Sequence, residues 1–182
     1  TALTVVGPEL PLCGGVVDIF KSKGLKIFGP SAKAAILEGS KIFAKQFMLR
    51  HGIPTASADF FESESEALEY LRKIFDPSRG IVIKADGLAA GKGVIVAKSY
   101  DEAEEAVKAC FGGEFGTAGK KILIEEILEG EEASILALTD GKTIIALDSS
   151  QDHKRAGDGD TGPNTGGMGA YSPAPAVTNS LM

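Results

Sequence analysis

The sequence predicts a chain of mixed class, an α/β unit followed by α+β structure, and three observations carry that expectation. Residues 3 to 28 alternate strand-like, helix-like and strand-like patterns, with Gly7-Pro8 and Gly24 at the joins, which is the order of a parallel βαβ unit. Two runs of β-branched residues, Ile81 to Ile83 and Val94 to Val96, bracket a glycine-rich tip and read as strand, loop, strand. Helices with Ser-x-x-Glu starts stand on both sides of that hairpin, so a second module of α+β type follows the first unit.

In order, the first unit runs Leu3 to Val6, Leu12 to Lys23 and Leu25 to Phe28, too small to stand alone. Gly29-Pro30-Ser31 ends it, because Pro30 disfavours helix before itself and Ser31 can cap the next helix. From Ala32 to His51, Ala35, Ile36, Phe43, Phe47 and Met48 fall at helical intervals, with Gly39-Ser40 breaking the run into two helices and Gly52-Ile53-Pro54 ending the second. Ser63 and Glu66 make a capping box for a helix whose buried stripe is Ala67, Leu68, Leu71, Ile74 and Phe75. Ser99 and Glu102 make a second box before the stripe Ala103, Ala106, Val107, Cys110 and Phe111. After a glycine-rich turn, Ile122 to Glu125 reads as a strand, and Asp140-Gly141 joins Ser134–Leu138 to Thr143–Leu147 as a hairpin. From Asp148 to Pro175 no period survives among Gly, Pro, Asp, Asn and Ser, which marks a long functional loop. The expected division is 1–30 as the end of a parallel α/β domain, 31–57 as connecting helices, 58–129 as a small lid module and 130–182 as the start of a larger one.

With 182 residues, 43% hydrophobic and 24% charged, the chain can bury a core as one domain or two small ones. A formal net charge of −6 and no basic run argue against a nucleic-acid or anionic-membrane surface. Cys13 and Cys110 lie far apart without histidines at metal spacing, so neither a disulfide framework nor a zinc site is indicated, and a reducing, cytoplasmic setting fits. No apolar run approaches membrane-spanning length, and the start lacks the features of a signal peptide. The chain opens on Leu3-Thr4-Val5-Val6-Gly7 without an initiator Met and stops at Leu181-Met182, so it is expected to be an excerpt of a longer protein.

The hairpin tip decides which phosphate chemistry is on offer. A Walker-type loop has four residues between its glycine and Gly-Lys, a hydroxyl residue next and a helix start. Here Gly87 and Gly91 are separated by three residues, Gly93 follows Lys92, and Val94-Ile95-Val96 is strand-like. A glycine hairpin remains, whose N–H groups and Lys92 can close over phosphates from above. Strand alternation puts Lys84 on the face of Val82, aimed at whatever the hairpin covers. Taken residue by residue, the same features also describe a tight hairpin with solvated lysines, and Glu125-Glu126 with Glu129 to Glu132 an acidic solvated face. His51 is explained by the helix end it occupies, while His153 reads equally as a ligand-facing and as a packing residue.

In order and spacing, Gly39-Ser40-Lys41, Ile83-Lys84-Ala85 with its loop to Gly93, and Ile124-Glu125-Glu126-Ile127-Leu128 with Glu132 resemble the nucleotide site of the ATP-grasp superfamily. The segments Gln151-Asp152-His153-Lys154-Arg155 and Gly162-Pro163-Asn164-Thr165-Gly166-Gly167-Met168-Gly169-Ala170-Tyr171 narrow the resemblance to the phosphoribosylamine–glycine ligases, the glycinamide ribonucleotide synthetases of purine synthesis. The resemblance implies part of an ATP-grasp fold preceded by the end of a Rossmann-like N-terminal domain. It also implies an ATP-dependent carbon–nitrogen ligase that joins glycine to 5-phosphoribosylamine through a glycyl phosphate.

Such chemistry needs cations against the charge that builds on the transferring phosphoryl group. The resemblance gives Lys41 and Lys84 to the ATP phosphates, with Lys45 a neighbour and Gly87, Gly91, Lys92 and Gly93 as their cover. Glu125 would accept from the adenine amino group, backbone groups of Glu126, Ile127 and Leu128 would meet the adenine edge, and Glu132 would hold the ribose hydroxyls. Asp152, Lys154, Arg155, Asn164, Thr165, Gly166 and Gly167 would serve the amine and glycine substrates, with Lys84 and Arg155 closest to the chemistry. Magnesium ligands are expected downstream of Met182, so no metal ligand is assigned within the chain, and the chain by itself is expected not to turn over. Fusion to, or association with, other purine-synthesis enzymes stays open. The competing readings are another ATP-grasp carboxylate–amine ligase, against which the 151–171 segment argues, and a nucleotide-binding module without catalysis.

Overall fold

Strands β1 (Thr4–Val5) and β2 (Ile27–Phe28) pair in parallel, Thr4 opposite Ile27 and Val5 opposite Phe28, as a βαβ connection requires. The computed structural model describes residues 2–89, 92–159, 161–165, 167–178 and 180–181. It divides into two units, Thr1–Leu128 and Glu129–Met182. No helix among the described residues is long and apolar enough to cross a membrane.

Between β1 and β2 the single helix expected over 12–23 is two, α1 (Glu9–Cys13) and α2 (Val16–Ser22). Gly15 breaks it by taking the left-handed region at φ 82°, which glycine enters without steric cost. Leu12 and Val17 then pack with Ala35 of α3 (Ala32–Gly39) as a small core. Ser31 caps α3 by accepting from the Ala34 N–H at 3.3 Å. Ser40 leaves helical geometry and caps α4 (Lys41–Arg50), its hydroxyl accepting from the Phe43 N–H at 3.0 Å.

The rest of the first unit is an antiparallel sheet of four strands, ordered β3 (Ala58–Phe61), β6 (Ile122–Glu125), β4 (Ile81–Ala85) and β5 (Val94–Ala97). The β4–β5 hairpin is as expected, with Lys84 opposite Val94 at its mouth. Strand β3 has no counterpart among the elements expected from sequence, because Ala-Asp-Phe-Phe carries little alternation. Pleating sends Ile81, Ile83, Ala85, Ile122 and Ile124 to one face, where they bury against α5 (Glu64–Ile74) and α6 (Tyr100–Phe111) through Leu71, Ala103, Val107 and Cys110. Val82, Lys84, Leu123 and Glu125 point to the other face, and α4 lies against β6. That arrangement leaves one face as core and lets the other build a site.

The two helix starts differ. At α6 the box is reciprocal, Ser99 Oγ accepting from Glu102 N–H at 3.2 Å and Glu102 Oε2 from Ser99 N–H at 3.2 Å. At α5 the cap is one-sided: Ser63 Oγ accepts from Glu66 N–H at 3.5 Å and shares a 2.9 Å bond with the Ser65 hydroxyl instead. The glycine-rich turn before β6 is a 3₁₀ helix over Gly116–Lys120.

In the second unit, β7 (Ala137–Thr139) and β8 (Ile144–Ala146) form the expected hairpin. Asp140 closes its turn, Oδ1 accepting from the N–H groups of Lys142 at 2.9 Å and Thr143 at 2.7 Å. The stretch expected to be a long loop carries strands. It holds β9 (Gln151–Asp152), β10 (Arg155–Gly157), β11 (Thr161–Asn164) and β12 (Ala170–Tyr171), paired antiparallel as β10–β11 and β9–β12. Strands so short show no readable period, and their glycines and proline hide them further.

Candidate phosphate-binding site

Lys84 leaves the middle of the sheet on the face away from the core, and its Nζ lies 2.7 Å from Glu125 Oε2 on the adjacent strand. The other carboxylate oxygen, Oε1, takes Lys45 Nζ at 3.1 Å, reaching in from α4. Lys45 is 4% and Glu125 5% exposed at the side chain, so the pair is buried, whereas the Lys84 side chain keeps 28% of its surface. Burial of two charges is tolerable only when their remaining hydrogen-bonding capacity is met. Lys45 meets it by donating to Thr55 Oγ1 at 2.6 Å and to the Ala56 carbonyl at 2.8 Å.

One turn before Lys45 on α4, Lys41 donates from Nζ to the Gly87 carbonyl at 2.7 Å. Burial holds the Lys41 ammonium below its ordinary value of 10.5; Asp86 and Glu38 oppose that, and the positive charge of Lys84 adds to it. Gly87 stands at φ 107°, and a Cβ there would lie 3.3 Å from that of Ala118, so the loop turns away from β4 where only glycine is comfortable. Asp86 ties the same loop root to the start of α4, as its carboxylate accepts from Ser40 Oγ at 2.9 Å and from Ile42 N–H at 3.0 Å.

These groups share a cavity of about 920 Å³, lined among others by Glu9, Glu38, Lys41, Lys45, Thr55, Lys84, Gly87, Glu125 and Leu128. Its size is that of a small-molecule site, and three lysines converge there with Glu9, Glu38, Glu125 and Thr55 beside apolar walls such as Leu37, Met48 and Leu128. Among the described residues, Lys41 and Lys84 each have one acceptor for three ammonium donors. Among the described residues no group of three or more His, Cys, Asp or Glu side chains is placed to hold a metal ion.

Of the residues singled out in the sequence, the cavity thus gathers Lys41, Lys45, Lys84, Gly87, Glu125 and Leu128. Glu126 turns elsewhere: its Oε1 accepts from Ser57 N–H at 2.8 Å, which lowers its pKa, and its own N–H donates to the Ser57 carbonyl at 3.2 Å. Ile127 is half-buried. Lys92 is exposed at the loop tip and does not line the cavity, whereas Gly93 is buried, and a Cβ there would meet that of Ala89 at 2.7 Å. Gly91 and Gly166 lie outside the described residues.

In the second unit Lys154 stands between two acids, 3.3 Å from Glu132 Oε2 and 3.9 Å from Asp152 Oδ1. Glu132 and Asp152, expected to serve different ligands, thus share one lysine. Arg155 donates to the Gly162 carbonyl at 2.8 Å, and its backbone stands opposite Asn164 in the β10–β11 register. Thr165 accepts from Gly167 N–H at 3.0 Å, and His153 packs on the Tyr171 ring at 5.5 Å.

Thr55 and Ala56 join the site without having been expected there, and Ser40 and Asp86, known from the sequence only as members of motifs, take part through a contact with each other. Ser40 gives a signal as a helix cap and Asp86 stands beside Gly87, but nothing local announces that the two meet.

Comparison with known proteins shows the family of the chain. The family description "Phosphoribosylglycinamide synthetase, ATP-grasp (A) domain" matches residues 39–182, and "Phosphoribosylglycinamide synthetase, N domain" matches residues 1–38. A phosphoribosylamine–glycine ligase of Pseudomonas syringae pv. tomato is 61% identical over 178 residues, covering 97% of this chain and 41% of the relative. The crystal structure of the phosphoribosylamine–glycine ligase of Thermotoga maritima is 43% identical with a TM-score of 0.74, covering 82% of this chain and 38% of that one. The N5-carboxyaminoimidazole ribonucleotide synthetase structure from Thermus thermophilus, 19% identical with a TM-score of 0.67 over 99% of this chain and 43% of that one, shares the fold alone. The chain spans 41% of the length of the curated relative and has the ATP-grasp fold in part, and on these matches it belongs to the phosphoribosylglycinamide synthetase family.

Proposed function

We propose that the full-length protein carrying this chain joins glycine to 5-phosphoribosylamine with ATP, in the cytoplasm, as a step of purine biosynthesis. The observation that supports this most is the convergence of Lys41 and Lys84 on one cavity, where burial already disfavours the charged form of Lys41. A site so built gains from an anion, because phosphate oxygens replace the hydration that burial takes from the ammonium groups. Lys84, fixed on a strand, and Lys41, fixed at the start of a capped helix, orient the phosphates before reaction and stabilise the charge that develops on the transferring group. A magnesium ion bound with the nucleotide would neutralise further phosphate charge, and no residue of this chain is assigned to it.

Glu125 is assigned to holding Lys84 rather than to the adenine edge, since both its oxygens already face lysine heads. The loop through Gly87, Lys92 and Gly93 is assigned as cover over the phosphates, and 58–129 as the lid module. From the resemblance alone, Leu128 keeps its place at the adenine edge, Glu132 its role toward hydroxyl donors, and Asp152, Lys154, Arg155, Asn164, Thr165 and Gly167 theirs toward the amine and glycine. The partners are small molecules, with neither nucleic acid nor membrane among them.

Calorimetric titration of a non-hydrolysable ATP analogue into the full-length protein and its Lys84→Ala variant tests this reading. Loss of one charged hydrogen bond should weaken binding roughly tenfold to a hundredfold. Unchanged affinity, or no ADP release with glycine and phosphoribosylamine, overturns it.

A further inference from the structure

Lys45 is a charged residue at the cavity wall, buried to 3% exposure. Its ammonium carries three N–H donors, and three acceptors surround it: Thr55 Oγ1 at 2.6 Å, the Ala56 carbonyl at 2.8 Å and Glu125 Oε1 at 3.1 Å. Nothing is left over for a phosphate. Yet the carboxylate it holds grips Lys84 at 2.7 Å through the other oxygen. A lysine on β4 has four rotatable side-chain bonds and loses their rotamer freedom when it is fixed. A carboxylate that is itself fixed removes that freedom in advance.

We infer that Lys45, acting through Glu125, is a positioning residue that fixes the Lys84 ammonium in the cavity for the nucleotide's phosphates. The inference rests on the phosphate-site reading above and deepens it. Without Lys45, Glu125 would be a buried acid with one cation instead of two, drawn toward tighter pairing with Lys84 and away from its present geometry. Lys84 would then meet the phosphates less often and less well. Lys41 is the neighbouring cation, with Asp86 and Glu38 as its acids, and its tether to Gly87 is separate, so it does not substitute for the missing link.

The test is a double-mutant cycle in the full-length protein, read by calorimetry with a non-hydrolysable ATP analogue and, as control, adenosine. Lys45→Met should weaken analogue binding roughly tenfold in the wild-type background and hardly at all in the Lys84→Ala background, the mark of residues acting as one unit. Adenosine, which has no phosphate, should bind both variants alike. If Lys45→Met does not fold, Lys45→Met with Glu125→Met removes both buried charges, a change that cores commonly tolerate, and should show the same loss. Losses that add to that of Lys84→Ala, unchanged binding, or equal loss for adenosine would overturn the inference, the last placing Glu125 at the base. A harmless Lys84→Ala would instead overturn the phosphate-site reading itself.

Discussion

Asp86 accepts the Ser40 hydroxyl at 2.9 Å and the Ile42 N–H at 3.0 Å, so the residue that opens the glycine loop also caps the helix carrying Lys41 and Lys45. Ser40 in turn accepts from Phe43 N–H, and together the two side chains satisfy amides that a helix start leaves without partners. The negative charge also meets the positive end of the α4 dipole. Removing it should cost about 1–2 kcal/mol locally. In Asp86→Ala, hydrogen exchange at the Ile42 amide should therefore accelerate while amides of α6 keep their protection. Unchanged exchange at Ile42 would show that Ser40 caps the helix alone.

Lys41 gives a pH prediction. Burial, reinforced by Lys84 and opposed by Asp86 and Glu38, places its folded-state value below 10.5. In the window between that lowered value and 10.5 the folded protein binds fewer protons than the unfolded chain, so this group's contribution to stability rises with pH there and is lost as pH falls through the folded value. A bound phosphate reverses the preference and restores the proton. Binding of an ATP analogue in that window should take up protons, seen as a calorimetric enthalpy that changes with buffer ionisation heat. Lys41→Arg, whose guanidinium stays charged, should abolish the uptake. Equal uptake in both proteins would remove Lys41 from the site.

Sequence separation decides which of these features could be read before the fold. The break at Ser40, the β4–β5 hairpin and the α5 and α6 stripes are local patterns, and each is legible from capping residues or period. The split between α1 and α2 is not, because Gly14-Gly15 sits inside an apolar run that continues the helical period across it. Lys41 and Lys84 stand out by resemblance and by strand alternation. The resemblance brings in Lys45 only as their neighbour, and its pairing does not show, since a lysine four residues along a helix looks solvated until Glu125, Thr55 and Ala56 close around it. Glu125 looks like one member of an acidic surface, and only the β4–β6 register brings it beside Lys84.

The two cysteines should separate by reactivity. Cys110 is 1% exposed in the core under α6, and burial, with Glu114 adding, pushes its thiol up to about 11. Cys13 is half-buried. Alkylation of the native protein at mildly alkaline pH, mapped by peptide mass spectrometry, should label Cys13 and spare Cys110 until denaturant is added. Equal labelling would mean that the packing of α6 on the sheet opens readily.

The last prediction separates the strand lysine from the loop lysine. Lys84 is held 2.7 Å from Glu125 at the cavity wall, so its ordering is complete before a nucleotide arrives. Lys92 is exposed at the tip, where its N–H donates to the Ala89 carbonyl at 2.9 Å, and its side chain must be ordered during binding. Fixing one long side chain costs about 0.5–1.5 kcal/mol, which offsets much of what a single charged contact returns. Lys84→Ala should therefore lower kcat/KM for ATP by at least roughly tenfold, and Lys92→Ala by only a few-fold. Because Lys84 also faces the charge that develops on the transferring group, its loss should appear in kcat as well as in KM, whereas that of Lys92 should appear mainly in KM. Equal losses in kcat/KM would show that the loop carries as much of the phosphate charge as the strand, and that closure of the loop, not the preset lysine pair, organises the site.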